Sequence, residues 1–200
     1  GKSLSSSIDP SGGVFYPDTF ENHFTFNDLT HKGALTGIRV EGPTNSVDQR
    51  IKRLSKELDL LENEYSVLNV EQSNIFWKKT KNLEVFSNTE KNLLRVVVPV
   101  SETLNFLQKL KNVDLSYFLD WGGSLIWLEL NDISIKILDE IKDITKDHNG
   151  YFTIIKVEED MKASADIFTI DPIKYKISEK IKKSFDPKRI FNPGKMYTGI

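Results

Sequence analysis

Two hundred residues, 38% of them hydrophobic and 28% charged, are enough to bury one real core with a tail to spare, which argues against a disordered chain. A formal charge of −2, with the lysines of residues 51–56 and 174–188 interleaved with acids or confined to helix-like faces, argues against nucleic-acid binding. Because the chain has no cysteine, it holds no disulfide, thiolate metal site, iron–sulfur cluster or cysteine nucleophile, and any redox role needs a borrowed cofactor.

The longest apolar runs, residues 93–100 and 125–130, fall well short of the roughly 20 residues that cross a bilayer. No transmembrane helix is expected. No basic segment leads into an apolar stretch and cleavage site in the first twenty residues, so the expectation is a cytosolic, cytoplasmic protein. The chain opens on Gly1 rather than methionine, which points to processing, an expression artefact or excision from a longer protein; the last is expected.

Residues 1–36 carry Ser5-Ser6-Ser7, Asp9-Pro10 and Gly12-Gly13, then Phe15, Tyr16, Phe20, Phe24 and Phe26 without steady periodicity, and read as a lead-in segment that packs on something. From Gly37 the pattern sharpens, with Ile38 and Val40 alternating with Arg39 and Glu41 before Gly42-Pro43 stops the strand. Ser46 and Gln49 resemble a capping box, and Val47, Ile51, Leu54, Leu58 and Leu61 mark the buried face of the next helix. A shorter helix is predicted over 71–80, with Ile75, Phe76 and Trp77. Residues 93–99, with Arg95 and three successive valines, read as a strand buried on both faces. Ser101 is placed to cap a helix in which Leu104, Leu107 and Leu110 recur every third residue.

Two further apolar runs, 115–120 and 124–130, are joined by Trp121-Gly122-Gly123, the composition of a hairpin turn in which glycine supplies positive φ. Ile133, Ile137, Ile141 and Ile144 mark a helix ended by Asn149-Gly150, with the glycine at the left-handed cap. Residues 151–157 give the last strand. Asp171-Pro172 reads as an N-cap followed by proline at the first helical position, opening a basic helix to about Ser184.

This order predicts an α+β fold: a ferredoxin-like sandwich with a largely antiparallel sheet, helices on one face, and a C-terminal helix and tail. Residues 37–160 form the ferredoxin-like domain, and residues 161–200 the helix and tail. Such a fold hosts many activities and names none.

The segment Phe185-Asp186-Pro187-Lys188-Arg189-Ile190-Phe191-Asn192-Pro193-Gly194-Lys195-Met196 resembles the terminal signature of FAD-linked oxidases of the vanillyl-alcohol oxidase type. Three more segments are similar to the glycolate oxidase E-subunit branch: Ile38-Arg39-Val40-Glu41-Gly42, Phe76-Trp77, and the hairpin from Asp120-Trp121-Gly122-Gly123 to Leu128. The resemblance implies a cap or substrate domain that is inactive alone and contributes to oxidation of a 2-hydroxy acid with FAD. The flavin would be bound mainly by an N-terminal FAD-binding domain of the same protein, with a D-type FAD subunit and an iron–sulfur subunit as possible partners. No dinucleotide fingerprint is present, since Ser11-Gly12-Gly13 is a lone small-residue turn.

If the family's arrangement carries over, Asn192, Pro193, Gly194 and Lys195 lie nearest the cofactor. Asn192 precedes proline, which predicts an extended backbone there, and Gly194 permits close approach to a neighbouring group. Read without the resemblance, the same residues are a turn that closes the domain. Trp121, Gly122, Gly123 and Trp127 are candidates for lining a flat aromatic substrate pocket, against the plainer expectation that such tryptophans fill a core. The family's D-type relatives carry a Gly-Asp-Gly-Asn-x-His stretch that has no match here, which puts direct hydroxy-acid oxidation by this subunit in doubt. His23, His31 and His148 lack metal-ligand spacing, no nucleophile triad is visible, and no catalytic residue or metal site is nominated. The competing expectation is a stand-alone ferredoxin-like module that binds a small ligand or a copy of itself.

Overall fold

A computed structural model describes residues 6–21, 23–26, 29–30, 32–61, 64–86, 91–158, 161, 167–168 and 171–194. Among them lie strands β1 (Gly12–Tyr16), β2 (Thr25–Phe26), β3 (Leu29–Thr30), β4 (Leu35–Arg39), β5 (Asn92–Val97), β6 (Leu115–Asp120), β7 (Leu125–Leu130) and β8 (Tyr151–Lys156). The helices are α1 (Thr44–Glu57), α2 (Val70–Lys81), α3 (Thr103–Lys109), α4 (Ile135–Asp147) and α5 (Pro172–Phe185).

The fold is α+β, as the sequence predicts. Six strands form an antiparallel sheet in the order β4-β1-β6-β7-β5-β8, while β2 pairs with β3 separately. The chain order β5-α3-β6-β7-α4-β8, set in space as β6-β7-β5-β8, is the ferredoxin-like arrangement.

The chain divides into two compact units, Gly1–Glu90 with Ser116–Ile126, and Lys91–Leu115 with Trp127–Ile200. The core of the first is aromatic. Tyr16 stacks on Phe118 at 4.9 Å and tilts against Phe24 at 4.8 Å; Phe24 in turn lies 4.8 Å from Phe76. The Tyr16 hydroxyl donates to Thr80 Oγ1 at 2.8 Å, and Thr80 donates to the Phe76 carbonyl at 3.0 Å, so the polar atoms of this core are paired. Burial pushes the Tyr16 phenol far above its ordinary range, so it stays a neutral donor. The ring of Phe76 crosses β4 at Gly37, where a Cβ would come within 2.8 Å of it.

The second unit closes its core between β5, β8 and the helices α3 and α4, which touch each other. Leu94 faces Ile154 and Val96 faces Phe152 in the β5–β8 ladder, and all four side chains are buried. Phe106 of α3 and Leu138 and Ile141 of α4 are buried in the same unit.

Several local expectations need correction. The segment read as an aperiodic lead-in contains β1, which pairs with β4 along its length and with β6 at Phe15–Leu119. Two of its five residues are glycines, which are depleted in strands and carry no side-chain pattern, so Gly12-Gly13 gave no strand signal. Ser46 does not cap α1: the helix starts two residues earlier, behind Pro43, without a side-chain cap. The capping box sits on α2, where the Asn69 and Gln72 side chains each accept the other's backbone N–H. Ser101 likewise lies inside a 3-10 turn, and α3 begins at Thr103.

On α3 the buried positions are Thr103 and Phe106, with Leu110 buried at the C-cap, while Leu104 points to solvent. Leu104 and Leu110 are six residues apart, roughly 600° of helical rotation, so they cannot share a face. The β5 strand buries one face fully, at Asn92, Leu94 and Val96, and the other only in part, which accommodates Arg95. At the end of α4 it is Asn149, at φ 55°, that takes the left-handed position, and not Gly150. Gly150 serves closeness instead: a Cβ there would meet the Val97 carbonyl oxygen at 2.7 Å.

Candidate functional site

A recess of about 430 Å³ opens on the first unit where β1, β4, α2 and the β6–β7 turn meet. The turn that forms one wall carries left-handed backbone at Trp121 (φ 50°) and Gly122 (φ 66°), and Asp120 steadies it by accepting the Trp121 N–H at 2.7 Å. This geometry pushes Trp121 outward, leaving it 57% exposed. Opposite walls come from Arg39 of β4 and Trp77 of α2, whose ring carries the Arg39 guanidinium carbon 5.9 Å from its centre. The guanidinium also reaches Glu41 Oε1 at 2.9 Å. Ser11 bonds the Arg39 carbonyl through its N–H at 2.8 Å, and Gly12 leaves room for the Trp77 ring, which a Cβ would approach to 3.2 Å.

Of the residues expected to line a pocket, Trp121 and Gly122 therefore stand at this recess. Gly123 completes the turn at φ 104°. Trp127 lies half-buried on β7 and belongs to the second unit. Arg39, Trp77 and Asp120 all stand in segments that carried the family resemblance, but the sequence assigned them no role in a site. Nothing in the sequence joins these three residues, which stand in separate segments and meet only in the fold.

No protein-family model matches the chain, and no curated protein matches it.

The tail is a second, separate feature, within the second unit. Asp171 caps α5 by accepting from Ile173 N and Lys174 N, as its sequence predicts, and the Lys174 ammonium sits 4.6 Å over the Tyr151 ring. The chain then turns back on Asp186, whose two carboxylate oxygens accept the N–H groups of Ile190 and Phe191 at 2.9 Å each. Lys182 pairs with Asp186 at 2.8 Å and also donates to the Phe191 carbonyl. The bonded Lys182 ammonium holds the Asp186 carboxyl down to about 2; burial opposes this, and the two backbone donors reinforce it.

Asn192, Pro193 and Gly194 are all exposed. Asn192 is not extended but left-handed at φ 48°, a conformation asparagine tolerates better than most residues. Gly194 is also left-handed, at φ 69°. Lys195 lies outside the described residues. The helix leading to this tail carries its apolar residues outward: Ile173, Ile177, Ile181 and Phe185 are between 53% and 85% exposed, and Ile190 and Phe191 follow at 66% and 67%. Tyr175, Ser178 and Lys182 form its half-buried side instead.

No helix among the described residues is long and apolar enough to cross a membrane.

Proposed function

We propose that this chain is the C-terminal cap domain of an FAD-dependent oxidoreductase subunit, similar to the glycolate oxidase E subunit, which contributes to the oxidation of a 2-hydroxy acid. The observation that carries the reading is the meeting of three separate resemblance-bearing segments, around Arg39, Trp77 and Trp121, at one recess. Two indole rings and a guanidinium beside a left-handed turn suit a flat, polar-edged ligand such as a flavin with its substrate. The flavin supplies the redox chemistry when bound, and these side chains shape and orient what lies against it.

The exposed apolar side of α5 and its tail supports the same reading. A contiguous apolar stripe of this kind marks a surface that another domain or chain covers. In the proposed enzyme that cover is the FAD-binding domain of the same protein, with Asn192, Pro193, Gly194 and Lys195 carried toward the cofactor. A D-type FAD subunit and an iron–sulfur subunit complete the proposed complex, located in the cytoplasm.

The test is substrate-dependent flavin reduction in the assembled enzyme. Trp121→Ala is expected to leave flavin bound but to raise KM for the hydroxy acid. Unchanged kinetics in that variant would remove the recess from the substrate side.

A further inference from the structure

A cavity of about 620 Å³ lies within the second unit, where the end of α3 meets the end of α4, and is lined by Asn105, Gln108, Lys109, Lys111 and His148. Asn105, Gln108 and Lys109 are three and four residues apart and share one face of α3, while Lys111 follows in the turn beyond its C-cap. No carboxylate stands among these lining residues, so the walls carry two positive charges. A lysine at a helix end ordinarily serves the last carbonyls. Here backbone donors take them: the Leu110 N–H bonds the Leu107 carbonyl at 3.1 Å, and the Val113 N–H bonds the Leu110 carbonyl at 2.9 Å. Among the described residues, neither ammonium and neither amide has a hydrogen bond or an ion pair. His148 is fixed in place. Its Nδ1–H donates to the Ile144 carbonyl at 2.8 Å, and its ring stands edge-on to the buried Phe106 with centroids 6.0 Å apart, which leaves Nε2 for a ligand.

We propose that this cavity binds a small phosphate monoester, with the phosphate held by the Lys109 and Lys111 ammoniums and the polar body set against Asn105, Gln108 and His148 Nε2. A phosphate monoester carries about −1.5 to −2 at pH 7, which two lysines match and a single carboxylate does not. Lysine holds such a group as a point charge and needs no fork geometry to do so. The two amides both give and accept hydrogen bonds, and Nε2 of a neutral imidazole accepts from a hydroxyl, so the body they suit is a hydroxylated one, such as a glycerol or a sugar. The cavity has the size of small-molecule sites, roughly 300–1,000 Å³. None of its residues belongs to the recess at Trp121 or to the α5 tail, and the proposal holds whether or not the protein is a flavoenzyme.

The experiment is a calorimetric titration of the whole protein with glycerol 3-phosphate, inorganic phosphate and glycerol. Glycerol 3-phosphate is expected to bind saturably, inorganic phosphate at least about fivefold more weakly for want of the body's hydrogen bonds, and glycerol not measurably. Lys109→Gln combined with Lys111→Gln is expected to weaken glycerol 3-phosphate at least about tenfold without lowering Tm, since both side chains are exposed. Lys176→Gln combined with Lys180→Gln removes the same charge from exposed positions of α5 and is expected to leave binding unchanged. Equal weakening by the two pairs reduces the binding to net charge and overturns the proposal. So does the absence of saturable binding, or inorganic phosphate bound as tightly as the ester; both are read on the unsubstituted protein, whatever becomes of the variants.

Discussion

Lys182 lies 2.8 Å from Asp186, one helical turn away, and this pair is the hinge on which the last described residues fold back against α5. Asp186 then accepts the Ile190 and Phe191 N–H groups, so a single carboxylate organises the turn. The lowered carboxyl, at about 2 against 3.8 for the free group, fixes the sign of the pH dependence. Its stabilisation is fully present above the unfolded value and disappears as pH falls through the folded one. Amide protection and proteolytic resistance of residues 186–194 are expected to hold at pH 5 and above and to be lost between about pH 4 and pH 2. Asp186→Asn should loosen the same residues at neutral pH; protection that survives in that variant contradicts the assignment.

The Tyr16–Thr80 bond predicts an asymmetry. Tyr16→Phe removes a donor while Thr80 retains the Phe76 carbonyl, and is expected to cost about 1 kcal/mol. Thr80→Val leaves a buried phenol without its acceptor and is expected to cost more, about 1–3 kcal/mol. Urea denaturation of the two variants and their combination checks the ordering.

Asn149 and Gly150 are predicted to fail for different reasons. Asn149→Ala strains a left-handed residue by about 1–2 kcal/mol, and Asn149→Gly should be close to neutral. Gly150→Ala forces a Cβ onto the Val97 carbonyl and is expected to cost about 1–3 kcal/mol through displacement of β5. Thermal unfolding measures the two costs and amide NMR separates them, since only the second should also shift the amide resonances of Val97 and Val98.

These two residues also show where the sequence is readable. Asn-Gly announces the end of α4 because both residues suit a break, but which of them bears positive φ depends on how closely β5 passes, and that is a tertiary fact. The cap at Asp171 was legible because its chemistry is complete within four residues. The β1 strand was not, because its partners are β4 and β6 and its glycines carry no pattern. For the recess, the sequence marks Trp121 and Gly122 through the turn they form. It is silent on Arg39 and Trp77, since only the packing of α2 across Gly37 brings that helix to β4.

The outward isoleucines of α5 predict self-association when nothing covers them. Sedimentation of the chain is expected to show concentration-dependent association, and Ile177→Lys with Ile181→Lys is expected to abolish it without lowering Tm, because neither side chain is buried. A monodisperse monomer at high concentration would argue that this face needs no partner.

The central claim is that this domain works against a flavin held by a neighbouring domain. Its most direct test is the visible absorbance spectrum of the protein purified with everything its gene encodes. The account predicts a flavin band at one FAD per chain that bleaches when the assembled enzyme meets its hydroxy acid. A folded product with no flavin band, which takes up none when FAD is added, would contradict the claim and leave a stand-alone ligand-binding module as the better description.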